Sequence, residues 1–393
     1  MNITKTKKIV FSLIAIFIFI VLAESISYII IGKYSNTSGN PYHPYLGWKV
    51  LGNSTLRSGT HCQNMETATT GMINADSDGN SITPLEYAEP DVQIVITGGS
   101  TMFGIGSTDN STTVSSWLER IIVDKLGIKA EVHNLGVSGY QSFTEMLTLH
   151  RFFKYKKADF VLAISGRNDS QYAFDEQDVR SASLINSVWE KAWFINQLEG
   201  RDNPFRVGFS LFVSYLRAYS YSAQLIDKAL HFVRLRYSTK NQHEALKGKV
   251  IEDVEHYRGN LFDNIPQRAT ITSSNYAIMN TIASENNAKF MMVLQPTTFT
   301  KKHLTNAERI CSESRVHGPS RMSNNLLKRY EEEFYIFFRS LKKSYTFYDH
   351  SKIMDNEKEA AYIDMAHYND LGALRVAEAA YSILEPQLKK FKR

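Results

Sequence analysis

Residues 92–106 read VQIVITGGSTMFGIG. Val92 to Thr97 is a short β-branched apolar run, which predicts a buried strand. The strand gives way to Gly98 and Gly99, so Ser100 is presented just beyond its carboxyl end. That is where ligands bind in parallel α/β sheets. The loop lacks G-x-G-x-x-G and a Walker lysine, so dinucleotide or phosphate cradling is poorly supported. It also departs from the G-x-S-x-G elbow, because Met102 stands in place of the second glycine. Alone, such a serine caps the following helix. As a nucleophile it needs a base, a group to orient the base, and donors for an oxyanion, all supplied from elsewhere.

Outward from this stretch, strand and helix patterns alternate. TVSSWLERIIVDKLG (113–127) has helical apolar spacing and ends on a glycine suited to a C-cap. AEVHNLGV (130–137) reads as a strand, SFTEMLTLHRFFKYKK (142–157) as a helix, and ADFVLAISG (158–166) as another buried strand. The rhythm resumes late in the chain with a helix (273–287), a strand (288–296), a helix (323–343), a strand (345–351) and a closing helix (370–390). Alternation of this kind implies βαβ units. The expected fold is a three-layer α/β/α sandwich around a mainly parallel five-stranded sheet, within a domain spanning 91–393. Residues of about 170–265 interrupt the rhythm with aromatic-rich amphipathic segments, read as a helical insertion that packs on the core.

Residues 32–90 are rich in Ser, Thr, Asn, Gly and Tyr and show little periodicity. They read as an extension lying on the main domain. Before them, Ile9 to Ile31 is apolar apart from Glu24, long enough to span a bilayer if that carboxylate sits near an interface. Lys5, Lys7 and Lys8 then keep residues 1–8 cytoplasmic and place the rest of the chain outside. A cleaved signal peptide, cut near VLAES, is the competing reading, and both readings export the protein. The net charge of +5 is too small to argue for nucleic acid, and much of it lies in the terminal clusters TKTKK and LKKFKR. Cys62 and Cys311 form no C-x-x-C pair and could bridge or remain thiols. The histidines show no ligand spacing, so no metal or other cofactor is expected.

Three further loops offer what Ser100 lacks. YIDMAHYND holds Asp364 and His367 three apart, where the aspartate can hold the imidazole Nδ1 and leave Nε2 for the serine proton. NLGVSGYQS places Gly139 after the second strand, with a backbone N–H unscreened by a side chain. ISGRNDS places Asn168 after the third, with a side-chain amide that can donate. Arg167 and Asp169 beside it read as structural.

In order along the chain, GGST (98–101), NLGVSG (134–139), GRND (166–169) and DMAH (364–367) resemble the four blocks of the SGNH hydrolase superfamily, the GDSL-like esterases and lipases. The resemblance covers about 91–169 and 270–390. It implies a flavodoxin-like sheet, a triad of Ser100, His367 and Asp364, and an oxyanion hole built from the Ser100 N–H, Gly139 and Asn168. Gly99 departs from the pattern, standing where the usual motif has aspartate. The implied activity is hydrolysis of acyl esters, with acetyl esters of an extracytoplasmic glycan as the leading substrate. Acetyl transfer onto a surface polysaccharide, with an export or acyltransferase partner, lipid ester hydrolysis and non-catalytic glycan binding are the other readings.

Overall fold

The computed structural model describes residues 5–32, 42–43, 47–48, 50, 52–58, 71–170, 220, 222, 226, 262–313 and 324–391. Cys62 and nearly all of the expected insertion lie outside these residues. The chain divides into two compact units, Met1–Tyr42 with Ala192–Lys249, and His43–Lys191 with Val250–Arg393.

In the first unit, α1 (Lys5–Gly32) carries the apolar run. Its described side chains, those of residues 11–27, include Phe11, Phe17 and Phe19, each at least two-thirds exposed. Among the described residues no helix is long and apolar enough to cross a membrane, so a spanning anchor at 9–31 remains a proposal. Glu24 is not left bare within the apolar run. Its Oε2 accepts from the Ser220 hydroxyl and the Ser222 N–H, each at 3.1 Å.

The second unit is built on five strands: β3 (Val92–Thr97), β4 (Ala130–Asn134), β5 (Phe160–Ser165), β6 (Lys289–Leu294) and β7 (Thr346–Asp349). They pair in parallel in the order β4-β3-β5-β6-β7. Alternate residues feed two cores. Ile94, Ile96, Leu162, Ile164 and Val293 pack with α3 (Val114–Leu126) and α8 (Asp370–Leu388). Val95, Val161, Ala163 and Met292 pack on the other face with α4 (Ser142–Phe153), α5 (Ile265–Glu285) and α7 (Asn324–Ser340). Strands covered on both faces must be apolar throughout, which explains the continuous runs in β3 and β5. The chain leaves β3 for β4 on one side and later β5 on the other. The sheet's switch point therefore lies beyond the carboxyl ends of β3 and β5.

Three elements differ from the sequence reading. The helix expected from residue 273 begins at Ile265, because Pro266 occupies its first turn, where a missing N–H costs nothing. Thr270 and Ser274 donate back to carbonyls four residues earlier, so a polar stretch is accommodated as helix. Asn306–Glu313 forms an additional helix, α6. The extension holds an antiparallel hairpin, β1 (Thr55–Ser58) with β2 (Gly71–Asn74). Ile73 and Ala75 of the extension are buried with Phe103, Val137 and Tyr140. Ser81 bridges to Asn134, and Thr83 donates to the Val132 carbonyl, which covers the open edge of β4.

Beneath the switch point, Glu145 of α4 is fully buried and accepts from Thr97 Oγ1 (3.0 Å) and Ser165 Oγ (2.5 Å). Burial first, and the Asp169 carboxylate second, push its proton affinity up from an ordinary value near 4.5 to about 8. The unfolded chain releases this proton near 4.5 while the folded chain keeps it, so stability declines as pH rises between the two values. Glu145→Gln should flatten that decline. Thermal midpoints across about pH 4.5 to 8 would show it, and an unchanged slope would assign the decline to another group.

Candidate active site

Ser100 opens a single helical turn, α2 (Ser100–Phe103), directly after β3 and two glycines. The first N–H groups of a helix have no intrahelical partner, so the Ser100 N–H is free of the helix ladder. Asn134, the last residue of β4, holds this turn: its Nδ2 donates to the Met102 carbonyl at 2.7 Å, while its Oδ1 accepts from the Gly136 N–H at 2.9 Å. A Cβ on Gly136 would lie 2.5 Å from the Phe103 nitrogen, so only glycine permits this approach. Asn134 begins the block that contains Gly139. Its anchoring role has no signal in the sequence beyond its position at a strand end.

The structure brings Ser100, His367 and Asp364 together across 267 residues of chain. Ser100 Oγ lies 2.7 Å from His367 Nε2, and His367 Nδ1 lies 2.7 Å from Asp364 Oδ2. The other carboxylate oxygen, Oδ1, accepts from the N–H groups of Ala366 and His367, both at 2.9 Å. An aspartate that caps its own turn in this way points its second oxygen at the ring three residues on. Burial opposes ionisation of Asp364 most strongly. The charge of His367 and the hydrogen bonds from its ring, its N–H and the Ala366 N–H outweigh that cost and hold the carboxyl well below the usual carboxylate range. An ionised carboxylate can only accept, so Nδ1 carries the ring proton and Nε2 is left to accept from Ser100. The Asp364 side chain is 3 % exposed and that of His367 19 %, a shielded orienter behind an accessible base.

The loop carrying His367 is fixed from several sides. Thr298 donates to the Met365 carbonyl through its N–H (3.1 Å) and its hydroxyl (2.9 Å). The Tyr368 hydroxyl donates to the Pro296 carbonyl at 2.9 Å. On the serine side, Asp370 accepts from both the N–H and the hydroxyl of Thr108. Gly106, at φ +104°, lies so close that a Cβ there would meet the Tyr368 carbonyl oxygen at 2.0 Å.

Gly139, in the loop after β4, and Asn168, in the helical turn that follows β5, are partly exposed. Asn168 Nδ2 donates one proton to the Tyr140 carbonyl at 2.7 Å, which leaves its second N–H. A Cβ on Gly99 would lie 2.3 Å from that nitrogen, so the Asn168 amide stands against the Ser100 loop. Here lies a physical reason for Gly99: a side chain would displace the amide. Gly139 has φ +79°, the left-handed region that glycine enters freely. The two neighbours of Asn168 are buried braces. Asp169 accepts from the N–H and hydroxyl of Ser142 and from Thr272. Arg167 pairs with buried Glu331 and donates to Met365 Sδ at 3.1 Å. Among the described residues no group of three or more His, Cys, Asp or Glu side chains is placed to hold a metal.

No family model matches the chain, and no curated protein matches it. Among solved structures it is similar to a lipase from a goat rumen metagenome, with 11% identity and a TM-score of 0.38, over 74% of this chain and 96% of that one. It is also similar to the acetyl xylan esterase AlAXEase, with 11% identity and a TM-score of 0.36, over 75% of this chain and 100% of that one. A lipase/acylhydrolase from Enterococcus faecalis shows 12% identity and a TM-score of 0.36, over 75% and 96% of the respective chains. At these scores the likenesses carry no weight for function, which rests on the geometry above.

Gly106→Ala should separate the serine and histidine loops. The unfavourable φ alone costs about 1–3 kcal/mol, and the contact with Tyr368 adds to it. If the loops are held as described, denaturant midpoints fall. Whatever reaction Ser100 carries then slows through kcat with KM little changed. Wild-type stability and turnover in Gly106→Ala would contradict the close approach.

Proposed function

We propose that this chain is a serine ester hydrolase in which Ser100 is the nucleophile, His367 the general base and Asp364 the group that orients and stabilises the imidazolium. One observation carries the reading: two consecutive 2.7 Å contacts run from Ser100 Oγ through the His367 ring to a buried, ionised Asp364. Nε2 takes the proton as Ser100 Oγ attacks the ester carbonyl. The tetrahedral oxyanion is held by the Ser100 N–H, the Gly139 N–H and the second Asn168 N–H. Collapse expels the alcohol, which takes the proton back from Nε2, and leaves an acyl-serine. A water then loses a proton to Nε2 as it attacks the acyl carbon; the acyl–Oγ bond breaks, Oγ takes that proton from Nε2, and the free acid departs.

The finer reading is a short acyl group, acetyl, on an extracytoplasmic glycan. Gly98 and Gly99 precede Ser100, the Asn168 amide stands against Gly99, and the His367 ring touches Ser100 Oγ, so the neighbours of the nucleophile are small and polar. Such a wall suits an acetyl better than a long chain. Export rests on the apolar α1 with exposed Phe11, Phe17 and Phe19 and on the lysines of its first turn.

Turnover of p-nitrophenyl acetate by the full chain tests the assignment. Ser100→Ala should abolish it, Asp364→Asn should lower kcat on the order of 10⁴-fold, and Asn168→Ala roughly 10²–10³-fold. Rates should drop from acetate to decanoate esters. Wild-type turnover in Ser100→Ala would end the reading, and a preference for decanoate would move the substrate to lipids.

A further inference from the structure

In a parallel sheet whose crossovers are helices, the loops after strands and the loops before strands lie at opposite edges. Ser100, Gly139, Asn168 and His367 belong to the first set. The loops from helix to strand all carry lysine. Lys129 precedes β4, Lys156 and Lys157 precede β5, Lys289 opens β6, Lys342 precedes β7, and Lys390 follows α8. All six are exposed, and among the described residues none takes part in an ion pair.

The carboxylates at this edge offset them in part. Asp91 accepts from the Lys129 N–H and Asp159 from the Gln93 N–H, both at 2.8 Å, and Glu131 lies close enough to Lys156 to feel its charge. Glu89, Asp124 and Glu285 remain exposed. Two aromatic rings stand among the lysines: Tyr155, 72 % exposed between Lys154 and Lys156, and Phe391, 38 % exposed beside Lys390. An open depression on this edge is walled by Lys125, Lys390 and Phe391, with Asp91 and Asp124. On the Ser100 edge, by contrast, exposed Lys302, Lys352 and Lys358 are mixed with Asp355, Glu357 and Glu359. Compensation of helix dipoles does not account for the pattern, since that effect fades beyond the last turn and Lys129, Lys156, Lys157, Lys289 and Lys342 all lie past it.

We propose that this lysine edge docks on an anionic lipid surface. The ammonium groups meet headgroup phosphates, Tyr155 and Phe391 settle at headgroup depth, and the Ser100 edge faces away from the bilayer. Lysine heads on flexible stems suit a diffuse negative potential, whereas forked recognition of a phosphate polymer favours arginine. Exposed rings with an apolar body belong at such an interface. The inference is independent of the ester reaction and of whether α1 spans a membrane.

Lysine acetylation of the full chain, read residue by residue by mass spectrometry, tests it. The chain is mixed with phosphatidylcholine vesicles with or without phosphatidylglycerol. Phosphatidylglycerol should slow acetylation of Lys156, Lys157 and Lys289 several-fold and leave Lys352 and Lys358 unchanged. High salt should reverse the protection. The double variant Lys156→Glu, Lys157→Glu should lose protection at Lys289 while keeping the wild-type thermal midpoint, which shows that it folds. Equal reactivity in the two lipids overturns the proposal. So does protection by soluble alginate without protection by phosphatidylglycerol, which would assign the edge to an anionic polymer.

Discussion

A carboxylate removed from water must find enough hydrogen bonds to stay charged, and Asp364 is where this chain meets that demand. Its two oxygens take three donors, all from its own turn: the N–H groups of Ala366 and His367 and the His367 ring. The constraint runs outward from there. The ring is pinned by Nδ1, so Nε2 points in one direction, and Ser100 Oγ lies on that line. Loosening the turn would leave a buried charge short of partners and a base aimed at nothing. The surroundings of the turn accordingly spend their polar groups on it, Thr298 on Met365 and Tyr368 on Pro296.

Bringing a turn near the carboxyl end of the chain against a loop after β3 requires backbone to approach backbone. Glycine makes this possible at few but decisive places. Gly106 faces the Tyr368 carbonyl, Gly136 faces the Ser100 helical turn, and Gly99 leaves room for the Asn168 amide. In each case a single carbon would fill the gap that sets the site's dimensions. Glycine at position 99 has a local meaning, because the amide occupies the volume a side chain would need.

Below the loops lies a layer of buried polar groups that ties them to the sheet. Glu145 holds the hydroxyls at the ends of β3 and β5, Asp169 clamps the loop after β4 to the loop after β5, and Arg167 reaches Glu331 and Met365. A network of this kind is costly if any member is missing and rigid if all are present. It explains why the neighbours of Asn168 are buried while Asn168 itself is partly exposed.

Much of this was legible in local sequence. Val92–Thr97, Phe160–Ser165 and Lys289–Leu294 announce themselves as buried strands because both faces of a parallel strand are covered. Ser100, Gly139, Asn168, Asp364 and His367 are visible because each sits just past a strand or on a tight turn, where residue type carries meaning. The hairpin of the extension and the early start of α5 were not legible. One depends on a partner strand thirteen residues away, and the other on hydroxyls whose bonds form only in a helix. The roles of Asn134, Gly106 and Glu145 were equally hidden, since each acts on an atom distant in the chain. The sequence alone determined the succession of the five core strands and the chemistry available at each loop, since periodicity and turn preference are properties of neighbours. Only the tertiary structure decided the strand order β4-β3-β5-β6-β7, the 2.7 Å contact across 267 residues and which carboxylate stays charged, because these depend on packing and burial.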